Sequence, residues 1–420
     1  MRRLVVVAAA AIGAALVWTT AAVAEAAFRH GVGVHRPLNW ADLVPGDRGR
    51  YAWPPFAGAE HEVSDALIDG IRAAGFDFVR LTVDPGPFLQ MKGVRRGRLD
   101  ALLGAQIRRF RARGLAVLVN FHSNSQVRAY RPELIFAEES APLFKQYLAA
   151  VARTAAYLAA MRDPAVAFEP VNEPPSGYDS GTAARWQRMM EALYRAARAA
   201  APELTIVVTG AQGGSRRGLA LLDPRPFGAG NTLFSFHYYE PHLFTHQGTQ
   251  ASDGDARVWR YILDLPYPPQ PDQRRATIGQ AEARLAGDTG LSGQDRARLS
   301  AMMRSVIGSY FDAGWNAGSI GAAFDEVADW ASGYGIGTDR ILLGEFGATR
   351  VAGQGSATAR AAWLRDVRCA AEQRRFAWSI WELNGPGGMA ITDDLDRNGI
   401  DPMTRNALGL AAAPAADCRR

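Results

Sequence analysis

The sequence predicts an α/β chain folded as a (β/α)8 TIM barrel. Three observations carry this reading. Eight short runs rich in Val, Ile and Phe recur along the chain. Amphipathic stretches with helical spacing separate most of them. No G-x-G-x-x-G follows the first run and no P-loop occurs anywhere, which argues against a doubly wound open sheet. The predicted strands are Gly31–Arg36, Asp77–Thr82, Leu115–Phe121, Ala165–Val171, Leu204–Val208, Thr232–His237, Ile341–Glu345 and Phe376–Trp381. Between them, Val63–Ala74, Leu99–Arg113, Pro142–Met161, Ala183–Ala200 and Ala357–Glu372 place apolar residues three and four apart, as helices packed on a sheet require. Repeated βα units imply parallel strands, and eight of them close a barrel. One interval, 240–340, is far longer than a single loop and helix needs. It begins Pro- and Tyr-rich (265–271) and turns helical through Gln294–Tyr310 and Ala322–Ala331. We read it as an insertion after strand six on the C-terminal face of the barrel, forming a cleft wall. The expected organisation is a leader over 1–24 and one catalytic domain over 25–420, its barrel running from about 31 to 410.

Composition narrows the function. The 420 residues are 48% hydrophobic and 21% charged, which excludes disordered and coiled-coil chains. The formal charge is +5, but Lys92 and Lys145 are the only lysines and the arginines are interspersed with Asp and Glu. No phosphate-binding stripe results, so no nucleic-acid partner is expected. Arg2 and Arg3, the apolar run Leu4–Val17 and Ala22-Val23-Ala24 have the form of a secretory signal cut after Ala24; an uncleaved anchor is the competing reading. Cleavage removes Arg2 and Arg3 and takes the charge from +5 to +3. The expected location is secreted or periplasmic, with no integral membrane association after cleavage, and the expected state is a monomer. In an oxidising compartment Cys369 and Cys418 either pair or remain one buried and one exposed thiol.

In a parallel barrel, chemistry gathers at the C-terminal ends of the strands. Reading those ends in order gives Arg80, His122, Asn172-Glu173-Pro174, His237-Tyr238-Tyr239, Gly344-Glu345-Phe346-Gly347 and Trp381-Glu382. Two carboxylates, Glu173 and Glu345, thus face each other across the mouth. A carboxyl pair flanked by aromatic rings suits glycoside hydrolysis, in which one acid protonates the leaving oxygen and the other attacks the anomeric carbon. The nucleophile must stay charged, which a neighbouring guanidinium favours. Ring faces suit the C–H side of a pyranose. Trp40, Trp53, Tyr178 and Trp259 are further aromatic candidates near loops.

These residues resemble glycoside hydrolase family 5, the cellulase family, over roughly Gly31 to Gly409. The resemblance implies Glu173 as acid/base and Glu345 as nucleophile of a retaining double displacement. It implies that Arg80 and Tyr239 orient Glu345, that Asn172 bonds the sugar 2-hydroxyl, that His122 and His237 line the cleaved-sugar subsite, and that Trp381 forms its floor. It also implies a cis peptide after Trp381. The expected activity is endo-cleavage of β-1,4-glucan, with β-linked polysaccharide or oligosaccharide as the partner molecule. The alternatives are β-mannanase, β-1,3-glucanase, an exopolysaccharide hydrolase, or a non-catalytic polysaccharide-binding barrel. No cofactor is expected. His122 and His237 lack a third His or Cys at ligand spacing, so no metal is expected there. Asp394–Gly399 matches the first half of a calcium loop, but Arg405 stands where a bidentate glutamate is needed, and a plain turn is the better reading.

Overall fold

The computed structural model describes residues 28–228, 230–250, 254–351, 354–385, 388–392, 399–410 and 418. The predicted leader and Asp394–Asn398 of the predicted turn lie outside them. Eight parallel strands form a closed barrel, each paired with its neighbours in chain order. They are β1 (His30–Val34), β2 (Phe78–Val83), β3 (Ala116–Phe121), β4 (Val166–Glu169), β5 (Thr205–Thr209), β6 (Thr232–Tyr238), β7 (Ile341–Phe346) and β8 (Ala377–Ile380). Closure is made at β1, where Gly31 pairs with Phe78 on one side and Ser379 on the other.

The surrounding helices follow local rules. Helix α1 (Asp65–Ala74) starts at Ser64, whose hydroxyl accepts from the Leu67 N–H, and ends at Gly75 with φ 106°. Its Leu67, Ile68, Ile71 and Ala74 face inward. Helix α2 (Gly93–Arg111) starts well before the predicted Leu99, whereas α3 (Pro142–Ala159) and α4 (Ser180–Ala200) match the predicted segments closely. After β5 the chain makes only a short helix, α5 (Arg216–Ala220).

The long interval divides in two. Helices α6 (Arg274–Gly287) and α7 (Gly293–Ala313) are the extra material, whereas α8 (Ala317–Gly333) is the barrel's own sixth helix. Phe324 of α8 meets Phe236 of β6 ring to ring at 5.3 Å, and Ile320 and Val327 are buried beside it. The first part of the insertion, His242–Thr245, lies at the mouth, tied to the chain after β7 by Thr349 N–H to Thr245 O at 2.9 Å. Beyond it, Tyr267 bonds Asp366 on α9 (Gln354–Gln373), so this part runs along the flank of α9. A cleft-wall role therefore falls to the first segment.

A small hairpin, Leu43–Val44 with Asp47–Tyr51, was not predicted; its strands are too short for alternation to register. Cys369 and Cys418 are joined by a disulfide, which resolves the alternatives the sequence left open and ties residue 418 to α9. Among the described residues, no helix is long and apolar enough to cross a membrane.

Candidate active site

At the C-terminal mouth, β2 projects Arg80 into the barrel. The side chain is fully buried, and all three of its nitrogens are used. Nε donates to Glu169 Oε2 at 2.7 Å, Nη1 to Glu345 Oε1 at 2.5 Å, and Nη2 to Asn172 Oδ1 at 2.8 Å. Burial opposes the Arg80 charge, but Glu169 and Glu345 outweigh it and hold the guanidinium above its usual range.

This donor fixes the atoms beyond it. Because Asn172 Oδ1 accepts from Arg80, its Nδ2 faces His122 Nε2 at 3.3 Å, and His122 Nδ1 lies 3.1 Å from Asn120 Oδ1. That chain requires a neutral His122 carrying its proton on Nδ1. Burial, and then the Arg80 charge, push the ring's pKa well below the ordinary value, in agreement.

Glu345, on β7, is 4% exposed and accepts on both oxygens, with Tyr239 Oη donating to Oε2 at 2.8 Å. A carboxyl group that only accepts is arranged as a carboxylate. Tyr239 is held neutral, burial first and Glu345 second raising its pKa well above the usual range. Glu173, just past β4, is the more open of the pair, its side chain 42% exposed. His237 of β6 lies between the two, with Nδ1 2.8 Å from Glu173 Oε1 and 3.6 Å from Glu345 Oε2. Burial works against an imidazolium there, but Glu345 and the bond to Glu173 win, and the pKa of His237 is raised. A carboxylate oxygen from each glutamate and a ring nitrogen of His237 all fall within 4.8 Å of one another.

Trp381 is half-buried at the end of β8 and lies parallel to His122, with ring centroids 5.3 Å apart and planes 12° apart. The Trp381–Glu382 peptide is cis, as the resemblance implied. All eight sequence-derived residues, Glu173, Glu345, Arg80, His122, Asn172, His237, Tyr239 and Trp381, thus gather at one mouth.

This convergence has the form of the barrel glycosidases, and the sequence agrees: it matches Cellulase (glycosyl hydrolase family 5) over residues 49–387. The chain belongs to glycosyl hydrolase family 5. Endoglucanase 3 of Fibrobacter succinogenes (strain ATCC 19169 / S85) is 27% identical over 222 residues, 52% of this chain but only 29% of that protein, so the chain spans under a third of this relative's length. Solved structures share the fold. The cellulose synthase subunit Z of Clostridioides difficile superposes with a TM-score of 0.62 at 21% identity, covering 91% of this chain and 99% of the other. Thermotoga maritima Cel5A in complex with cellobiose gives 0.61 at 20% identity, over 92% and 98%. The same enzyme in complex with mannotriose gives 0.62 at 20%, over the same shares.

The sequence reading missed three participants. Glu169 is the second acid on Arg80; an acid inside an otherwise apolar strand was the available signal. His35, following β1, has Nε2 2.8 Å from Glu382 Oε2 and Nδ1 2.8 Å from Thr82 Oγ1, and packs on Trp381 with centroids 4.0 Å apart. Asn120 fixes His122. Of the peripheral aromatics, Trp40 and Tyr178 are exposed, 53% and 73%, whereas Trp53 and Trp259 pack against the core. His242 and His246 stand near Tyr239, their Nδ1 atoms 3.4 Å apart.

Proposed function

We propose that this family 5 chain is a retaining endo-β-1,4-glucanase that works through a glycosyl-enzyme intermediate. The carrying observation is the Glu173–Glu345 geometry: nearest oxygens within 4.8 Å, one acid half-open and the other buried between two donors. Retaining glycosidases keep their carboxyl groups about 5–5.5 Å apart, and inverting ones leave about 6.5–9.5 Å for a water molecule.

In the first step an oxygen of Glu345 bonds to the anomeric carbon while the glycosidic C–O bond breaks, and Glu173 passes its proton to the departing oxygen. In the second, Glu173 removes a proton from water, the hydroxide adds to the anomeric carbon, and the bond to Glu345 breaks. Arg80 and Tyr239 hold Glu345 as a carboxylate aimed at that carbon. Asn172, oriented by Arg80, offers its amide to the sugar 2-hydroxyl. His237 steers Glu173, and the His122–Trp381 stack supplies a flat face for the ring.

The predicted leader and the Cys369–Cys418 disulfide both support a secreted or periplasmic location, since disulfides persist in oxidising compartments. A β-mannanase reading stands second, because the T. maritima relative of this fold is described with both cellobiose and mannotriose. Hydrolysis of carboxymethyl-cellulose, mannan, laminarin and a bacterial exopolysaccharide, with NMR of the first-formed anomer, tests both. Fastest turnover on the cellulose derivative with β-product is expected. An α-product overturns the mechanism, and inactivity on cellulose and mannan overturns the substrate.

A further inference from the structure

The loop between β1 and α1 carries a second cluster of ligating side chains, separate from the catalytic pair. Asp42, Glu60 and His61 each bring one carboxylate oxygen or ring nitrogen within 4.8 Å of the other two. The histidine decides how the cluster is read. His61 is only 7% exposed, and its Nδ1 lies 2.9 Å from the carbonyl oxygen of Arg36. A carbonyl can only accept, so the proton of the neutral ring sits on Nδ1. That leaves Nε2 with a lone pair, buried, without a hydrogen-bond partner, and 3.5 Å from Asp42 Oδ1. Two electron-rich atoms thus face each other, an arrangement that a cation bridging them would satisfy.

The surroundings favour a cation. A ring that donates Nδ1–H to a backbone carbonyl and aims Nε2 at carboxylates has the outer-shell bond that orients metal-bound imidazoles. The backbone that carries the other two ligands is also tied down. Asp42 is bonded through its own backbone to Pro55 and Ala52, and its Oδ2 accepts from the Ala57 N–H at 3.2 Å, which turns Oδ1 toward His61. Arg36 clamps the turn that bears Glu60 and His61, donating to the carbonyls of Glu60 and Ala59 at 2.9 and 3.0 Å. The Glu60 carboxylate folds back over Gly58, where any side chain would collide with both of its oxygens.

We propose that Asp42, Glu60 and His61 form a binding site for a divalent cation of the zinc class at the rim of the sugar cleft. One imidazole with two carboxylates suits zinc, while calcium and magnesium prefer all-oxygen shells. Three protein ligands leave a position for water. His61 and Glu60 also line a cavity of about 440 Å³ shared with His35, Trp40 and Asn384. The ion would therefore fasten the loop carrying the exposed Trp40 beside the glycan path, without touching Glu173 or Glu345.

Calorimetric titration of ZnCl2 into the EDTA-treated full chain tests this without reference to turnover. A single equivalent is expected to bind with micromolar affinity and to raise the melting temperature in a concentration-dependent way. Calcium and magnesium at equal concentration should give no shift. Glu60→Gln, at an exposed side chain that folding does not need, should weaken zinc by about 10-fold or more, and His61→Gln should abolish the equivalent. Absence of saturable zinc binding would show that a proton, not a metal, bridges His61 and Asp42. Zinc binding undiminished in Glu60→Gln would place the ion elsewhere, and either result overturns the proposal.

Discussion

The two ends of the barrel interior are both buried and chemically opposite. At the N-terminal end Phe28 plugs the bottom, edge-on to Phe78 with centroids 5.5 Å apart, among Ala116, Leu118, Ala167, Val207 and Leu342. At the mouth stand Arg80, Glu169 and Glu345. Phe78 and Arg80 are both fully buried and lie two residues apart on β2, so they share a face. Within one pleat repeat the interior passes from rings to ions. Burial alone therefore does not decide what a barrel interior contains; the availability of partners does. The apolar end stabilises the fold through area removed from water. The ionic end carries a desolvation cost that its hydrogen bonds offset, and what it provides is chemistry.

The sharpest way to break this comparison is at the mouth. Glu345→Gln keeps the shape and the Arg80 contact but removes the nucleophile. It should lower kcat by about 10⁴- to 10⁶-fold, the scale of losing a covalent nucleophile, with little change in melting temperature. A comparable fall in stability with modest kinetic loss would mean that the ionic end is structural. Glu173→Ala should cost about 10²- to 10⁴-fold on cello-oligosaccharides, the range for a positioned acid. On a 2,4-dinitrophenyl glycoside, whose leaving group needs no proton, the first step should be nearly unaffected. Equal losses on both substrates would remove Glu173 from the acid role.

The bottom should respond in the opposite sense. Phe78→Ala leaves a cavity beside Phe28 and should destabilise by about 3–5 kcal/mol, the usual range for buried aromatics. Glycoside turnover well below the melting temperature should stay near the parent value. A matching drop in kcat would show that packing at the bottom is transmitted to Arg80, one repeat above.

The eight strands were legible because each is a short β-branched or aromatic run buried on both sides, and the observed ends differ from the predicted ones by a few residues at most. The catalytic set was legible because polar residues at strand ends have no other reason to interrupt apolar runs. Pairing was legible only where the family resemblance supplied it, for Arg80 and Tyr239 with Glu345. Nothing in the order of residues says that Arg80 divides itself between Glu169, Asn172 and Glu345, since those partners lie up to 265 positions away. Nor could it show Asp42 meeting Glu60 and His61, because the loop that joins them has no periodicity to read. The insertion misled at its far end: Ile320, Phe324 and Val327 repeat as any amphipathic helix does, and only contact with Phe236 shows that α8 belongs to the barrel.

Asp84 sharpens the contrast in a subtler way, as a buried acid at the mouth that lacks a guanidinium. Its oxygens meet neutral donors: the Gly86 N–H at 2.8 Å, Asn124 Nδ2 at 3.1 Å, Tyr51 Oη at 3.4 Å and the Ala41 N–H. Burial therefore prevails over these bonds and pushes its pKa up to about 6, from 3.8. Between those values the folded chain holds a proton that the unfolded chain has released. Unfolding free energy should then fall as pH rises through this window, by about 3 kcal/mol, and level off above it. Asp84→Asn carries no titrating group, so its stability should lack this component. Urea unfolding of both proteins at pH 4, 5, 6 and 7 measures the difference directly. The gap between the two curves should change by that amount across the window, in favour of the parent at pH 4. Parallel curves would mean that neutral donors serve a buried carboxylate as well as an arginine does, and the distinction drawn between Asp84 and the acids on Arg80 would fall.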